Sequence, residues 1–124
     1  MERNKDEFES FLMKLFFSYA WKKKPKYCEC GCGRILPKEF TSAILDHTIE
    51  KSTYPECKYS ISNIKYYTID CHTQKGNGFP NEEQKKHIDW AMENYDLICK
   101  ESSNFVERIK DKLKLGEDEL HNKE

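Results

Sequence analysis

The chain has 124 residues, a formal net charge of −1, 35% charged and 37% hydrophobic residues. That length suits one domain over 1–124 and is too short for two independent cores. No apolar run approaches the roughly 20 residues that cross a bilayer, and MERNKDEFES is acidic and polar where a secretory signal has a basic start and an apolar run, so a cytosolic protein with no membrane partner is expected.

Residues 5–21 have the spacing of an amphipathic helix, with Phe8, Phe11, Leu12, Leu15, Phe16 and Tyr19 on one face. Asn4 and Glu7 supply a capping pair, and Pro25 within Lys22-Lys23-Lys24-Pro25-Lys26 ends the helix. Residues 27–80 are short of helix formers and rich in Cys, Gly, β-branched and aromatic residues. Within them, Ala43-Ile44-Leu45 reads as a buried strand leading into Asp46-His47. Ile64 to Ile69 reads as a second strand, bounded by Asn63 and Asp70. Residues 50–62, with Pro55 and several Ser and Thr, read as a loop. A short turn or helix after Cys71-His72 closes at Gly76-Asn77-Gly78 and Pro80.

Residues 82–115 read as one long helix, capped by Asn81 with Gln84 and ended near Gly116, with 117–124 a frayed tail. Its stripe of Ile88, Met92, Tyr95, Cys99, Ser102, Val106, Ile109 and Leu113 is heptad-like, interrupted by Ser102. At about 1.5 Å per residue such a helix is roughly 50 Å long, more than the middle unit can cover. Packing against the first helix is the simpler account; pairing with a second copy or with another protein is the alternative. The expected class is α+β, a small core flanked by two helices.

A middle unit of this size has too little core to stand alone. Six cysteines in a reducing compartment point away from structural disulfides. Three crowd into Cys28-Glu29-Cys30-Gly31-Cys32, where Gly31 and Gly33 permit a tight turn. With Cys71 they make four thiolates for a structural Zn²⁺ that pins the start of the unit to its end. The usual pattern has Cys-x-x-Cys at both ends, and here Thr68 stands in the first position of the second pair. Cys57 is an alternative ligand, and Cys99 a small packed residue. Residues 22–80 hold ten Lys or Arg against six Asp or Glu, a local +4; residues 81–124 hold eight against twelve, a local −4. The basic share lies with the motifs and suits a phosphate backbone.

In ILDHTIEKSTYPECKYSISNIKYYTIDCHTQKGNGFP, a strand end delivers Asp46 and His47 together, Asn63 follows sixteen residues on, and Cys71-His72 comes nine later with Lys75 three beyond. This order, with the Cys-x-Cys-Gly-Cys-Gly knuckle upstream, resembles the HNH endonucleases, and the likeness covers about residues 27–80. It implies a zinc-stapled ββα-metal core and phosphodiester hydrolysis leaving a 5′-phosphate and a 3′-hydroxyl. His47 would be the general base, since imidazole titrates near neutrality, and Asn63 would hold it in orientation by a polar contact near the ring. Asp46 and His72 would bind one Mg²⁺ or Mn²⁺, and Lys75 would contact a phosphate. Alternatives are His72 as a zinc ligand and Lys75 as a solvated side chain. His87 and His121 match nothing in the motif and read as surface residues.

The resemblance implies DNA as substrate, duplex or branched, with RNA not excluded, and a phage-encoded protein acting inside the host cell. No recognition helix is visible, so strong sequence specificity is not expected. A reading from a different class is a non-catalytic zinc-binding adaptor that docks on a partner through 82–115.

Overall fold

A computed structural model describes residues 2–122, with side chains placed for residues 7–114. The apolar spacing near the N-terminus winds α1 (Glu2–Trp21). Leu12, Phe16 and Ala20, one ridge at intervals of four, are fully buried, while Phe11 and Tyr19 lie at the edge of the contact. Asn4, expected as the cap, lies two residues inside the helix. Two backbone bonds after Ala20 and Trp21 then turn the chain at the lysine run.

The knuckle follows as a tight reversal. Cys28 N–H donates to Arg34 O and Leu36 N–H to Lys26 O, bracketing Gly31 and Gly33. Both glycines have positive φ, 84° and 81°, a conformation in which any side chain is strained. Glu29 fastens this reversal to the sheet: its N–H donates to Tyr66 O, and its carboxylate accepts from Tyr66 N–H.

The sheet is two short antiparallel strands, β1 (Leu45–His47) and β2 (Ile64–Tyr66), in register Leu45↔Tyr66, Asp46↔Lys65 and His47↔Ile64. Both are shorter than their apolar runs. Ile44 belongs to a 3₁₀ turn, Ser42–Ile44, and Tyr67 leaves the strand to fill the core; both are fully buried. The expected loop between the strands contains two more 3₁₀ turns, Pro55–Cys57 and Ile61–Asn63. After β2 the chain enters α2 (Ile69–Gly76), so Cys71, His72 and Lys75 all ride on one short helix.

The long helix expected over 82–115 is instead two helices, α3 (Glu82–Glu93) and α4 (Tyr95–Asn122), interrupted at Asn94. Asn94 leaves helical geometry at φ −109° and ψ 26°, and its side chain turns back onto Trp90 O. Backbone bonds still reach Asn94 from both sides, so the break is a bend. The capping box at Asn81 and Gln84 is present. α4 continues through Gly116 to Asn122; of the tail expected to fray, 123–124 lie outside the described residues.

Phe105, Val106 and Ile109 of α4 pack with Phe8, Leu12, Leu15 and Phe16 of α1 in the main core, the simpler of the two expected arrangements. The edge-to-face pair of Phe16 and Phe105, centroids 5.4 Å apart, marks the crossing. Ser102 interrupts the apolar stripe for a reason: buried, its hydroxyl accepts from Tyr59 N–H at 2.9 Å. Beside it, Glu101 accepts from Ser60 Oγ, Ser62 N–H and Ser62 Oγ, tying α4 to the turn that precedes β2. Ile49, Cys57, Ala91 and Ile98 form a second, smaller core. Among the described residues no helix is long and apolar enough to cross a membrane.

Candidate functional site

Cys28, Cys30 and Cys32 of the knuckle meet Cys71 of α2, and their four sulfurs lie within 4.8 Å of one another. Cys30 Sγ is 3.1 Å from Cys28 Sγ and 3.4 Å from Cys71 Sγ, which is 3.9 Å from Cys32 Sγ. A tetrahedral metal with bonds of about 2.3 Å sets its sulfurs about 3.8 Å apart, so this all-thiol donor set fits a structural metal such as zinc. Thr68, which takes the place of a cysteine, donates its N–H to Cys28 Sγ. Asn81 and Gln84 at the start of α3 donate to the carbonyls of Cys30 and Cys71. Cys57 is not in this group; its sulfur lies 3.9 Å from that of Cys99 in the smaller core. A backbone contact at Arg34 brings the Cys32 thiol down to about 7, whereas burial pushes Cys30 and Cys71 up.

The residue after Cys71, His72, lines with Asp46 and His47 a cleft of about 320 Å³ that Phe17, Glu50 and Lys51 also border. Neighbours on a strand ordinarily face opposite ways, but His47 is the last residue of β1, and both its side chain and that of Asp46 open onto this cleft. Asp46 is 5% exposed. Its Oδ1 lies 3.2 Å from His72 Nε2, while His72 Nδ1 contacts the Ala43 carbonyl. A carbonyl only accepts, so Nδ1 carries the proton. In neutral His72 the unprotonated Nε2 then lies 3.2 Å from a carboxylate oxygen, two acceptors that a positive charge between them would reconcile. A proton does so, and the Asp46 contact accordingly raises the His72 pKa. A divalent cation would do so as well: two adjacent ligands with bonds of about 2.1 Å sit about 3.0 Å apart in an octahedral shell.

Lys75, expected at a phosphate, is turned inward, with its Nζ 2.9 Å from Asp46 Oδ2 and its side chain 13% exposed. The pair lacks hydrogen-bond alignment, leaving that buried oxygen with unused acceptor capacity.

His47 is held by Lys58, whose carbonyl lies 3.0 Å from Nε2. By the same logic Nε2 carries the proton and Nδ1 keeps its lone pair. Phe16 and Phe17 flank the ring at centroid distances of 6.3 and 6.4 Å. Burial, with Lys51 adding to it, lowers the His47 pKa from 6.5 to about 4, so the imidazole is neutral at pH 7.

Asn63 does not line the cleft, and the hydrogen bonds of its side chain go to backbone, a correction to the contact expected near the His47 ring. Fully buried, it accepts from Ile49 N–H at 2.7 Å and donates to the carbonyls of Ile49 and Cys57. The Cys57 carbonyl immediately precedes Lys58, so Asn63 binds the peptide next to the one whose carbonyl meets His47.

No family model, curated protein or solved structure matches this chain. The cysteine quartet and the Asp46 cleft therefore rest on their own geometry.

Sequence reasoning missed the Lys58 carbonyl, because a backbone acceptor leaves no trace in residue type. It also missed Phe17 and Lys51. Lys51 lay in the basic set and Phe17 in the first helix, and only the tertiary structure joins them at the cleft. His87, expected at the surface, stacks on Tyr67 at 6.1 Å and shares a 2.8 Å hydrogen bond with its hydroxyl. The His121 side chain lies outside those described.

Proposed function

We propose that this chain is a metal-dependent endonuclease of the HNH type that hydrolyses phosphodiester bonds in DNA. The observation that carries the proposal is the facing pair Asp46 Oδ1 and His72 Nε2, 3.2 Å apart, in one cleft with a neutral His47 whose Nδ1 is uncommitted to Lys58. Asp46 and His72 would hold Mg²⁺ or Mn²⁺, and the four cysteines Zn²⁺. A divalent cation bound there supplies positive charge for the phosphate oxygens and the departing oxygen.

The rest belongs to the chain itself. His47 Nδ1 takes a proton from water, the water oxygen bonds to phosphorus, and the bond to the 3′ oxygen breaks, leaving a 5′-phosphate and a 3′-hydroxyl once solvent protonates the leaving oxygen. Lys58 keeps the ring turned toward the cleft through its carbonyl. Asn63 is a positioning residue that fixes the peptide before Lys58. Lys75 lies against the Asp46 carboxylate as its counter-charge, and Lys51 adds positive charge at the rim.

Supercoiled plasmid nicked in Mg²⁺ tests this directly. His47→Ala is expected to slow nicking by about 10² to 10⁴-fold. Nicking that survives the substitution, or a parent protein inactive with Mg²⁺, Mn²⁺, Ni²⁺ and Zn²⁺ alike, would overturn the mechanism. A second reading, an adaptor that docks through 82–115, draws support from Trp90, Met92 and Leu97, each 43–52% exposed along α3 and α4. An inactive parent protein would favour it.

A further inference from the structure

Beside the fully buried ridge of α1 runs a second face whose rings, Phe17 and Trp21, are only partly buried against the core. Lys14, Phe17, Ser18, Trp21 and Lys22 recur at intervals of three and four, and with Phe40 they line a cleft of about 430 Å³. Its aromatic rings are stepped. Trp21 meets Phe40 edge-to-face at 5.1 Å, Phe40 lies 6.1 Å from Phe17, and Phe17 lies 6.4 Å from the His47 ring. Phe17 lines both this cleft and that of Asp46, so the two are contiguous.

Positive charge follows the same path. Lys24 Nζ sits 5.5 Å from the centre of the Trp21 ring and Lys51 Nζ 5.6 Å from that of Phe17. The neighbouring groove shares Ser18 and Lys22 and adds Arg108 and Lys112. Of the residues lining the two contiguous clefts, Asp46 and Glu50 are the carboxylates. Phe40 is 52% exposed, an arrangement that core packing does not require.

We propose that this cleft binds an unpaired stretch of DNA. Bases stack on Phe40 and Trp21, while Lys14, Lys22 and Lys51 neutralise the phosphates. The strand then passes Phe17 and presents its next phosphodiester to Asp46 and His47. The last step rests on the endonuclease reading; the binding does not. Rings bordered by cations fit a single strand because each base offers a free π-face to stack, whereas in a duplex those faces are covered by neighbouring base pairs. Backbone binding to duplex would use the lysines and leave Phe40 and Trp21 idle.

Trp21 reports on its own occupancy. In a Trp90→Phe background it is the single tryptophan, and oligothymidine titrated into the full chain without Mg²⁺ is expected to quench its emission saturably. A blunt-ended duplex of equal charge, without a loop, is expected to bind more weakly. Phe40→Ala is expected to raise the oligothymidine Kd on the order of 10-fold, and Phe40→Tyr, which keeps the ring, to restore it. Lys22→Glu is expected to weaken binding and flatten its salt dependence. No quench, equal affinity for the blunt-ended duplex, or an unchanged Kd in Phe40→Ala with its melting temperature intact would overturn the proposal. Plasmid nicking in the same preparations separates the two readings. Nicking without the fluorescence response overturns the single-strand site alone. The fluorescence response in a protein that nicks nothing supports the site and overturns the endonuclease.

Discussion

The sulfur cluster and the Asp46 cleft draw on neighbouring residues of α2, Cys71 and His72, yet they differ in nearly everything a cation senses. Cys28 and Cys30 are each 4% exposed, the donors are all sulfur, and α3 braces two of their carbonyls from outside. The cleft offers one oxygen and one nitrogen, a lysine already on the carboxylate, and an opening of about 320 Å³ toward solvent. A soft, complete shell suits an ion that holds chain segments together. A hard, incomplete one would leave room for water and phosphate, as the proposed hydrolysis requires. Burial does not separate the two groups, since Cys32 is exposed while Asp46 is buried; donor softness and the number of donors do.

Paired substitutions put that contrast at risk. Cys30→Ser is expected to have the largest effect on stability, several kcal/mol of metal-linked folding energy, read as a fall of about 15 °C or more in melting temperature and loss of bound zinc. Asp46→Asn leaves the inward-turned Lys75 without its carboxylate, so it costs stability as well, and it is expected to abolish nicking while the bound zinc is retained. The reverse pattern, zinc kept in Cys30→Ser and lost from Asp46→Asn, would erase the distinction.

Asn63→Ala comes next. It strips three hydrogen bonds from buried backbone groups, for a loss of about 3 kcal/mol in urea denaturation. If Asn63 positions His47 through the loop, kcat falls further than stability explains while KM stays near the parent value.

The smallest effect is that of pH. His47 titrates near 4 in the fold and near 6.5 when exposed, so between those values the unfolded chain binds the extra proton and stability declines as pH falls. Urea midpoints at about pH 7 and about pH 5 should therefore converge in His47→Asn relative to the parent. His72, shifted upward, acts with the opposite sign: its contribution is present below its unfolded pKa and fades as pH rises through the folded one.

Much of this was legible from residue order where chemistry is local. Three cysteines in five positions, an Asp-His pair ending an apolar run, and the Asn81 with Gln84 box all announce their geometry within one turn of chain. What sequence could not supply depended on distant partners. The stripe from Ile88 to Leu113 has no gap at Asn94, because the interruption is one residue long and backbone bonds reach it from both sides. Lys75 looked solvent-facing until Asp46 was placed beneath it. Asn63 is chemically able to hold an imidazole or a backbone loop, and only the approach of Ile49 and Cys57 decides which. His87 likewise has nothing nearby in sequence to foretell Tyr67.

Consecutive positions on a helix are set about 100° apart, and α2 uses both directions at once, Cys71 toward Cys30 and His72 toward Asp46. Twisting this eight-residue cylinder about its axis would withdraw both side chains together. Neither anchorage can slip while the other holds, so the segment has a single seated orientation, and an insertion or deletion between Thr68 and Cys71 would unseat both in one stroke.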